Sequence, residues 1–436
     1  MSFPGPPSGL AFIDRQSPLV IDSSRDFDRL TPDAKKSVKN IKKIGGGLLL
    51  IAVLAGGVFV SFPAADFSVY YSAAKQLIHH DYDLYRQGGL AFRYAPVVAF
   101  AFVPISILPP RAAASLWYLL KIGALVAIAG MVMKLLAHDR KRLWKILGLS
   151  VLITAGYLVE EFRTGNIHFL ILFLIVLAFF LVERGRIVLP SFLLAAAICV
   201  KVTPLLFLPY FALMRRWKLC LFCVLWIIVL VLGPGFLIGW EKNIDLAKHW
   251  TETALARTDE PVNHSLKGVL FKYLGEKPPL AENEKYPRVN VFDLRPEAIT
   301  AIWILASALF LVLLAGAILR RCGGGECAVL QYALLAVSVL LLSPHDSRIY
   351  FSILFFPCAV IAAYVDKHPG SEYRSFLFAV LGVSFAFNTF LPAVMPGKKA
   401  SLAYETLSPY FFSALIVWIA LFILVFRQRN IVALPE

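Results

Sequence analysis

Long apolar stretches separated by short polar segments run along most of the chain. A helix needs about 20 apolar residues to cross the hydrocarbon core of a bilayer. The stretches that meet this need are 44–62, 112–136, 146–160, 167–183, 217–239, 298–320, 327–343, 347–366, 374–396 and 408–426. The pattern therefore predicts an all-α, polytopic membrane protein.

Two further apolar regions are interrupted by prolines or polar residues. Residues 95–109 are short and bounded by prolines, whereas residues 187–214 are long and contain the sequence CVKVTP. Placing Arg215, Arg216 and Lys218 on the cytosolic side requires 187–214 to be a hairpin of two short helices. The predicted turn is Lys201–Pro204, where Pro204 ends helical hydrogen bonding. Residues 95–109 are predicted to dip into the membrane and return. The prediction is about 12 crossings plus one re-entrant segment.

Composition and charge agree with lipid as the main solvent. Hydrophobic residues make up 59% of the 436 residues and charged residues 16%, and the mean hydropathy is +0.72. The net charge of +15 would also suit nucleic acid, but the basic residues form short clusters between apolar stretches, as in cytosolic loops. We expect membrane lipids around the protein and no nucleic-acid partner. Residues 1–43 are predicted to be a cytosolic, partly disordered basic leader, and residues 44–430 the membrane domain.

Placing the basic clusters in the cytosol collects many unusual polar residues at the other end of the predicted bundle. They include Asp66, Glu160, Glu161, Asn166, Lys201, Asn263, His345, Asp346 and Arg348. Ionisable groups that converge at one end of a membrane bundle predict a functional site. The segments 63–94 and 240–297 become extracytoplasmic loops, and the second is a candidate cap for binding the acceptor.

Residues 67–80 have the apolar spacing of a helix, with Phe67, Tyr71 and Ala74 on one face. Fourteen residues are too few to cross, so we predict an interfacial helix on the outer leaflet. Asp66 directly precedes it and has two interpretations. It is either an N-cap, a position that Asp favours, or a carboxylate at the mouth of an outward-facing cavity.

Several short motifs follow one another in a recognisable order. They are DFSVYYSAAKQLIHHDYDLY, FRYAP, TGNIHFL, CVKVTP followed by RRWK, NHSLKG and LSPHDSRIY. In this order, over roughly residues 44–426, the chain resembles glycosyltransferase family 87, the polyprenol-phosphate-mannose-dependent mannosyltransferases with a C-type multispanning fold. The resemblance implies an enzyme that takes a sugar from a lipid-phosphate donor on the extracytoplasmic face.

The resemblance also implies residue roles. An Asp after the first span acts as base in such enzymes, and Asp66 matches it, while Lys201 matches the Lys of a recurrent K-x-[TS]-P element. Asn166 and Asn263 match polar positions of two other loops.

One part of the motif pattern departs from the family. Relatives often carry one or two histidines a few residues after Ser-Pro, whereas this chain has Ile349 and Tyr350 there. His345 and Arg348 lie close by as candidate replacements.

The chemistry of such a transfer requires a carboxylate and cations, which are the residue types found here. A carboxylate can take the proton of an attacking hydroxyl, negative charge stabilises an oxocarbenium-like sugar, and cations stabilise a phosphate leaving group. The hypothesis is therefore that Asp66 is the base, Lys201 and Arg348 hold the donor phosphate, and His345 assists there or orients the acceptor. Asn166, Asn263, Tyr94 of FRYAP and Glu160 complete the candidate substrate-binding residues.

Alternative interpretations accompany several of these residues. Lys201 could be a snorkelling lysine, Arg348 an interfacial anchor, and Lys121, deep in a predicted span, is expected to pair or snorkel. The sequence DYD at 81–83 suggests a metal site, but we favour a solvated helix end and expect neither metal nor cofactor.

At the level of function, the expectation is an inverting transferase of the plasma (inner) membrane with an extracytoplasmic site. It would move a hexose, mannose by the resemblance, from a polyprenyl-phosphate donor to a lipid or glycan acceptor. A secondary transporter, whose sites lie near the bilayer midplane, and a lipid-linked glycan polymerase or ligase remain alternatives.

Overall fold

The computed structural model describes residues 64–85, 92–136, 139, 142–255, 263–275, 287, 289–320 and 325–427. Of these residues, 81% are helical and none belongs to a strand. The all-α prediction is therefore confirmed for this part of the chain. The predicted leader 1–43 and the predicted first span 44–62 lie outside the described residues.

The first half of the chain forms helices that alternate with short turns. They are α1 Ala65–Ile78, α2 Pro96–Ser106, α3 Pro110–Leu135, α4 Leu143–Thr164, α5 His168–Val182, α6 Val188–Val200, α7 Phe207–Leu213, α8 Trp217–Leu232 and α9 Gly235–Ile238. A short 3-10 helix, Thr203–Leu206, precedes α7.

The second half continues in the same way. Its helices are α10 Trp240–Leu255, α11 Leu266–Leu274, α12 Pro296–Leu319, α13 Glu326–Leu342, α14 Phe355–Lys367, α15 Arg374–Phe385, α16 Leu391–Val394, α17 Gly397–Thr406 and α18 Pro409–Arg427. The 3-10 helix Arg348–Leu354 leads into α14, and the π-helix Ala386–Phe390 joins α15 to α16. The described residues of the predicted loop 240–297 thus include two helices, α10 and α11.

Seven helical stretches among the described residues are long and apolar enough to cross a membrane. They are Pro110–Leu135, Leu143–Thr164, Trp217–Ile238, Pro296–Leu319, Arg348–Lys367, Arg374–Val394 and Pro409–Arg427. Each lies within a few residues of a predicted span, and the shorter apolar helices α5 and α13 occupy two more. The total of about 12 crossings and the re-entrant segment remain predictions.

Helix α13 forms the centre of the main core. All of its residues from Cys327 to Leu341 are buried, as expected for a helix that is apolar on every side, and it packs against α14 and α18. Among the described residues, few of the apolar side chains of helices α8 and α12 are buried by protein. Such surfaces suit contact with lipid, which is as apolar as the side chains themselves.

A second apolar cluster joins α1, α2 and the start of α3. Phe67 and Tyr70 of α1 pack with Phe102 of α2 and Trp117 of α3. The predicted helix at 67–80 is thus present, although it begins two residues earlier. Asp66 lies inside its first turn and makes no capping hydrogen bond, so the N-cap interpretation of Asp66 is wrong.

The predicted helix break at Lys201–Pro204 is present. Helix α6 ends at Val200, and Lys201 has extended backbone angles of φ −146° and ψ 132°. Both arms of the interrupted segment reach the first turn of α8, because Ser191 Oγ donates to Leu219 O at 3.1 Å and Cys220 Sγ lies 3.5 Å from Leu208 O. This is the arrangement that a chain reversing at Lys201 requires.

The two ends of the bundle differ in chemistry. At one end, Arg142 and Lys145 both pair with Asp366 at 2.7 Å, and Lys367 pairs with Glu326 at 2.6 Å. Helices α4 and α13 run from this basic end to the opposite end, where the residues following Thr164, Val200 and Leu342 meet. We refer to the latter as the site end.

Candidate active site

The carboxylate of Asp66 is held by an amide from the far end of α4. Asn166 Nδ2 donates to Asp66 Oδ2 at 2.8 Å, although the two residues are 100 positions apart. The backbone N–H of His168 donates to Asn166 Oδ1 at 3.2 Å, which fixes the orientation of the amide. Asp66 is partly buried and Asn166 is buried, so the structure brings together two of the predicted site residues.

Lys201, at the break between α6 and α7, lies in a second polar group. Its Nζ is 2.8 Å from Asp346 Oδ1 and 3.2 Å from the centre of the Tyr350 ring. Asp346 is fully buried, whereas the Lys201 side chain remains 19% exposed. Burial raises the pKa of Asp346 to about 6, although the neighbouring Lys201 acts in the opposite direction.

Tyr350 and His168 join the two groups. The His168 ring meets the Tyr350 ring edge to face, with 3.8 Å between centroids, and Lys201 lies against the same Tyr350 ring. Because His168 is also bonded to Asn166, a continuous chain of contacts leads from Asp66 to Lys201. Sequence reasoning assigned no role to His168 or Tyr350, whose contacts span segments distant in sequence.

Tyr94 of the FRYAP motif lies beside this group. Its hydroxyl is 2.9 Å from that of Tyr70, and Ala95 N donates to Cys199 O at 3.2 Å. The pKa of Tyr94 is raised by burial and further by the nearby carboxylates of Asp66 and Glu161. The motifs FRYAP and CVKVTP therefore meet at the site end, as their predicted sidedness required.

Asn263 fixes the turn that carries Asp346. Its Nδ2 donates to Pro344 O at 3.0 Å, and its Oδ1 accepts from the backbone N–H groups of Asp346 and Ser265, both at 3.0 Å. Ser265 also caps α11. In the structure the amide of Asn263 binds this turn and so positions Asp346, and its contact with substrate stays a prediction. His345 lies in the same turn and is partly buried.

Arg348 belongs to a neighbouring group of polar residues. Its Nη1 lies 3.3 Å from Glu405 Oε1 and its Nη2 donates to Gly156 O at 3.3 Å, while the guanidinium lies over Tyr410. The charge of Arg348 is thus already balanced by an acid. Arg348 and Lys201 therefore pair with different acids, Glu405 and Asp346.

The adjacent acids Glu160 and Glu161 have different environments. Glu160 pairs with Arg163 at the surface, with the two side chains 25% and 64% exposed. Glu161 is fully buried and pairs with Lys121 at 3.2 Å. The sequence prediction selected Glu160, whereas the structure places Glu161 in the interior; neighbouring helical residues point about 100° apart. The prediction that Lys121 is paired is confirmed.

These features define an all-helical membrane protein with a carboxylate and an ammonium group at one end of its bundle. The family model of glycosyltransferase family 87 matches residues 92–344. Because this match covers more than half of the chain, the chain belongs to glycosyltransferase family 87, and membership indicates a glycosyltransferase. The resemblance stated from the motifs is thus confirmed.

The matched range includes some candidate residues and leaves others outside. Tyr94, Glu160, Asn166, Lys201 and Asn263 lie within it, and Asp66, His345 and Arg348 lie beyond its ends. A search of curated proteins finds no match to the chain.

Proposed function

We propose that the protein transfers a hexose from a polyprenyl-phosphate sugar to a hydroxyl of a lipid or glycan acceptor, by a single inverting displacement. The observation that carries this proposal is the chain of contacts from Asp66 through Asn166, His168 and Tyr350 to Lys201. It supports the proposal because it links a carboxylate to a partly exposed ammonium through direct contacts.

Asp66 is proposed as the general base. In the reaction the acceptor oxygen bonds to the anomeric carbon as its proton passes to the Asp66 carboxylate. The bond between the anomeric carbon and the phosphate oxygen breaks, and polyprenyl phosphate leaves with the electron pair. Asp66 suits this role because one of its oxygens is held by Asn166 while the residue stays partly exposed, and a general base must reach the proton it removes.

Lys201 is proposed to bind the donor phosphate. Asp346 occupies one hydrogen-bonding direction of its ammonium, and the Tyr350 ring covers another. An ammonium has three donors, and its side chain is not fully covered, so it can also donate to a phosphate oxygen. Stabilising charge on the leaving group is the contribution expected of such a cation. The involvement of His345 in this step remains a proposal from its position in the Asp346 turn.

The donor, the acceptor and the side of the membrane complete the proposal. The resemblance of the motifs favours mannose as the sugar and a polyprenyl phosphate as its carrier. The basic end of the bundle, with Arg142, Lys145 and Lys367, suits the cytosolic side under the positive-inside rule. The site end would then face the extracytoplasmic side of the plasma membrane.

The test is transfer by the purified full chain in lipid nanodiscs. Radiolabelled polyprenyl-phosphate mannose is supplied with a panel of lipid and glycan acceptors, with the corresponding arabinose and glucose donors and a nucleotide sugar in parallel. We expect a polyprenyl-phosphate sugar to be consumed and the nucleotide sugar to remain. Asp66→Asn should abolish transfer, because an amide cannot accept the proton.

A matched control is Asp81→Asn, since Asp81 is an exposed acid of the same stretch whose Oδ1 accepts from the neighbouring backbone N–H of Asp83. It should transfer at the wild-type rate. Near-full turnover by Asp66→Asn would remove the proposed base, and consumption of the nucleotide sugar alone would remove the proposed donor.

A further inference from the structure

Lys121 is a lysine buried inside a long apolar helix. It lies in the twelfth position of α3, about 17 Å from the start of the helix at 1.5 Å per residue, and its side chain is 2% exposed. A charge at such depth is costly unless it is paired and hydrogen-bonded. The groups that pair with and hydrogen-bond to Lys121 therefore indicate what the buried charge does in the structure.

The Lys121 ammonium donates two hydrogen bonds and forms one ion pair. Nζ donates to Glu161 O at 2.6 Å and to Asn166 O at 2.9 Å, and it lies 3.2 Å from Glu161 Oε1. Two of these acceptors are backbone carbonyls at the two ends of the turn that closes α4. A lysine that binds the last carbonyls of a helix is well placed with respect to the helix dipole.

The same turn is fixed against α1. Gly165 has φ +70°, a left-handed conformation that favours glycine, and a Cβ at this position would lie 2.7 Å from Phe67 Cβ. The turn therefore packs directly on the residue that follows Asp66. Asn166 completes the connection through its hydrogen bond to the Asp66 carboxylate.

Glu161 holds Lys121 in turn. Its Oε1 accepts from the backbone N–H of Phe169 at 3.1 Å, so the acid bridges α3 to the start of α5. Lys121, Glu161 and Asn166 form one connected unit, and the side-chain amide of Asn166 is the part of it that contacts Asp66. We call it the Lys121 unit.

We infer that Lys121 is a positioning residue of this glycosyltransferase. It holds the α4 turn so that Asn166 fixes the carboxylate of Asp66 toward the acceptor hydroxyl. This inference rests on the proposed role of Asp66 as base. The expected consequence is an effect on turnover, because misplacing a reacting group by about 1 Å can lower a rate by about 100-fold.

The first test compares Lys121→Met and Asn166→Ala with the wild-type enzyme in nanodiscs. Both variants should lower kcat by at least about tenfold and leave the KM for the lipid donor unchanged, because Lys201 is untouched. The Lys121→Met/Asn166→Ala double variant should be no slower than the slower single variant, because the effects of substitutions within one connected unit are not additive. Fully additive losses would overturn the inference.

The second test separates positioning from folding. Lys121→Met leaves Glu161 buried without a counter-ion, which destabilises the protein, whereas Lys121→Met/Glu161→Met removes both charges and should recover much of the thermal stability. The double variant still lacks the donor to Asn166 O, so its kcat should stay low. Recovery of kcat together with stability would show a purely structural role for Lys121. The outcome for Asp66→Asn is independent, so a failure of this inference is distinguishable from a failure of the proposed function.

Discussion

Lys201 and Asp346 form an ion pair at 2.8 Å that joins the break after α6 to the turn after α13. The pair is asymmetric because the carboxylate is fully buried and the lysine is 19% exposed. The asymmetry suits a cation whose ammonium is bound by Asp346 on its buried side and can contact a ligand on its exposed side. It also means that the two partners should respond differently to substitution.

Lys201→Met should lower both stability and donor affinity. It leaves the Asp346 carboxylate buried without a partner, which typically costs about 3–5 kcal/mol of unfolding free energy. Lys201→Met/Asp346→Leu should recover stability but not donor binding, because the phosphate still lacks its cation. Thermal unfolding and the KM for the donor measure the two effects. A double variant with wild-type KM would contradict a phosphate-binding role for Lys201.

The stability contributed by Asp346 should depend on pH with a defined sign. Its pKa rises from 3.8 in the unfolded chain to about 6 in the fold because of burial, so the folded state holds the proton more tightly. The favourable contribution is therefore complete below about pH 4 and is lost as the pH rises to about 6. The loss is about 3 kcal/mol for a shift of two pH units.

Subtraction of Asp346→Asn isolates this effect from other acids. The thermal unfolding midpoint of the wild type relative to Asp346→Asn should fall between pH 4 and pH 6 and stay constant above that range. A difference that does not change over this interval would contradict the burial of an ionisable group at position 346.

Gly156 is expected to tolerate no side chain. A Cβ at this position would overlap Asn388 O of the π-helix, and its own carbonyl accepts from Arg348. Gly156→Ala should destabilise by about 1–3 kcal/mol, as overpacking does, and should disturb the Arg348 group. Gly148→Ala in the same helix meets no atom within 4 Å and serves as the control. Equal unfolding midpoints for the two variants would contradict the close approach of α4 and the π-helix.

The apolar pattern alone was sufficient to predict most of the membrane helices. Lipid requires a helix of near-constant length and composition, so each span is specified locally, and Pro204 specified the break at Lys201 in the same local way. The residues that pair with the site residues were harder to predict from the sequence. Asn166 lies 100 residues from Asp66 and Glu405 lies 57 residues from Arg348, and nothing in a single sequence pairs them.

The adjacent acids Glu160 and Glu161 show the same limit of prediction from sequence within a single helix. Helical spacing allowed only one of the two to face the interior, but α4 is apolar around both, so its rotation is decided by the neighbours that it packs against. Lys121, on another helix, is the buried partner that Glu161 meets there. Of the two acids, Glu161 is the one buried in the protein, and the role of Glu160 in binding substrate stays a prediction.

This assignment gives a direct prediction for the two acids. Glu160→Gln removes a surface ion pair with Arg163, which is worth about 0–1 kcal/mol, and should leave turnover and acceptor KM near the wild-type values. Glu161→Gln leaves Lys121 buried with only neutral acceptors, so it should lower the unfolding midpoint strongly, because breaking a buried pair is destabilising. It should also lower kcat through the Lys121 unit. Because the substitutions are identical in chemistry and adjacent in sequence, each is the control for the other. An increase in acceptor KM for Glu160→Gln would contradict this outcome and support the predicted role of Glu160 in binding substrate.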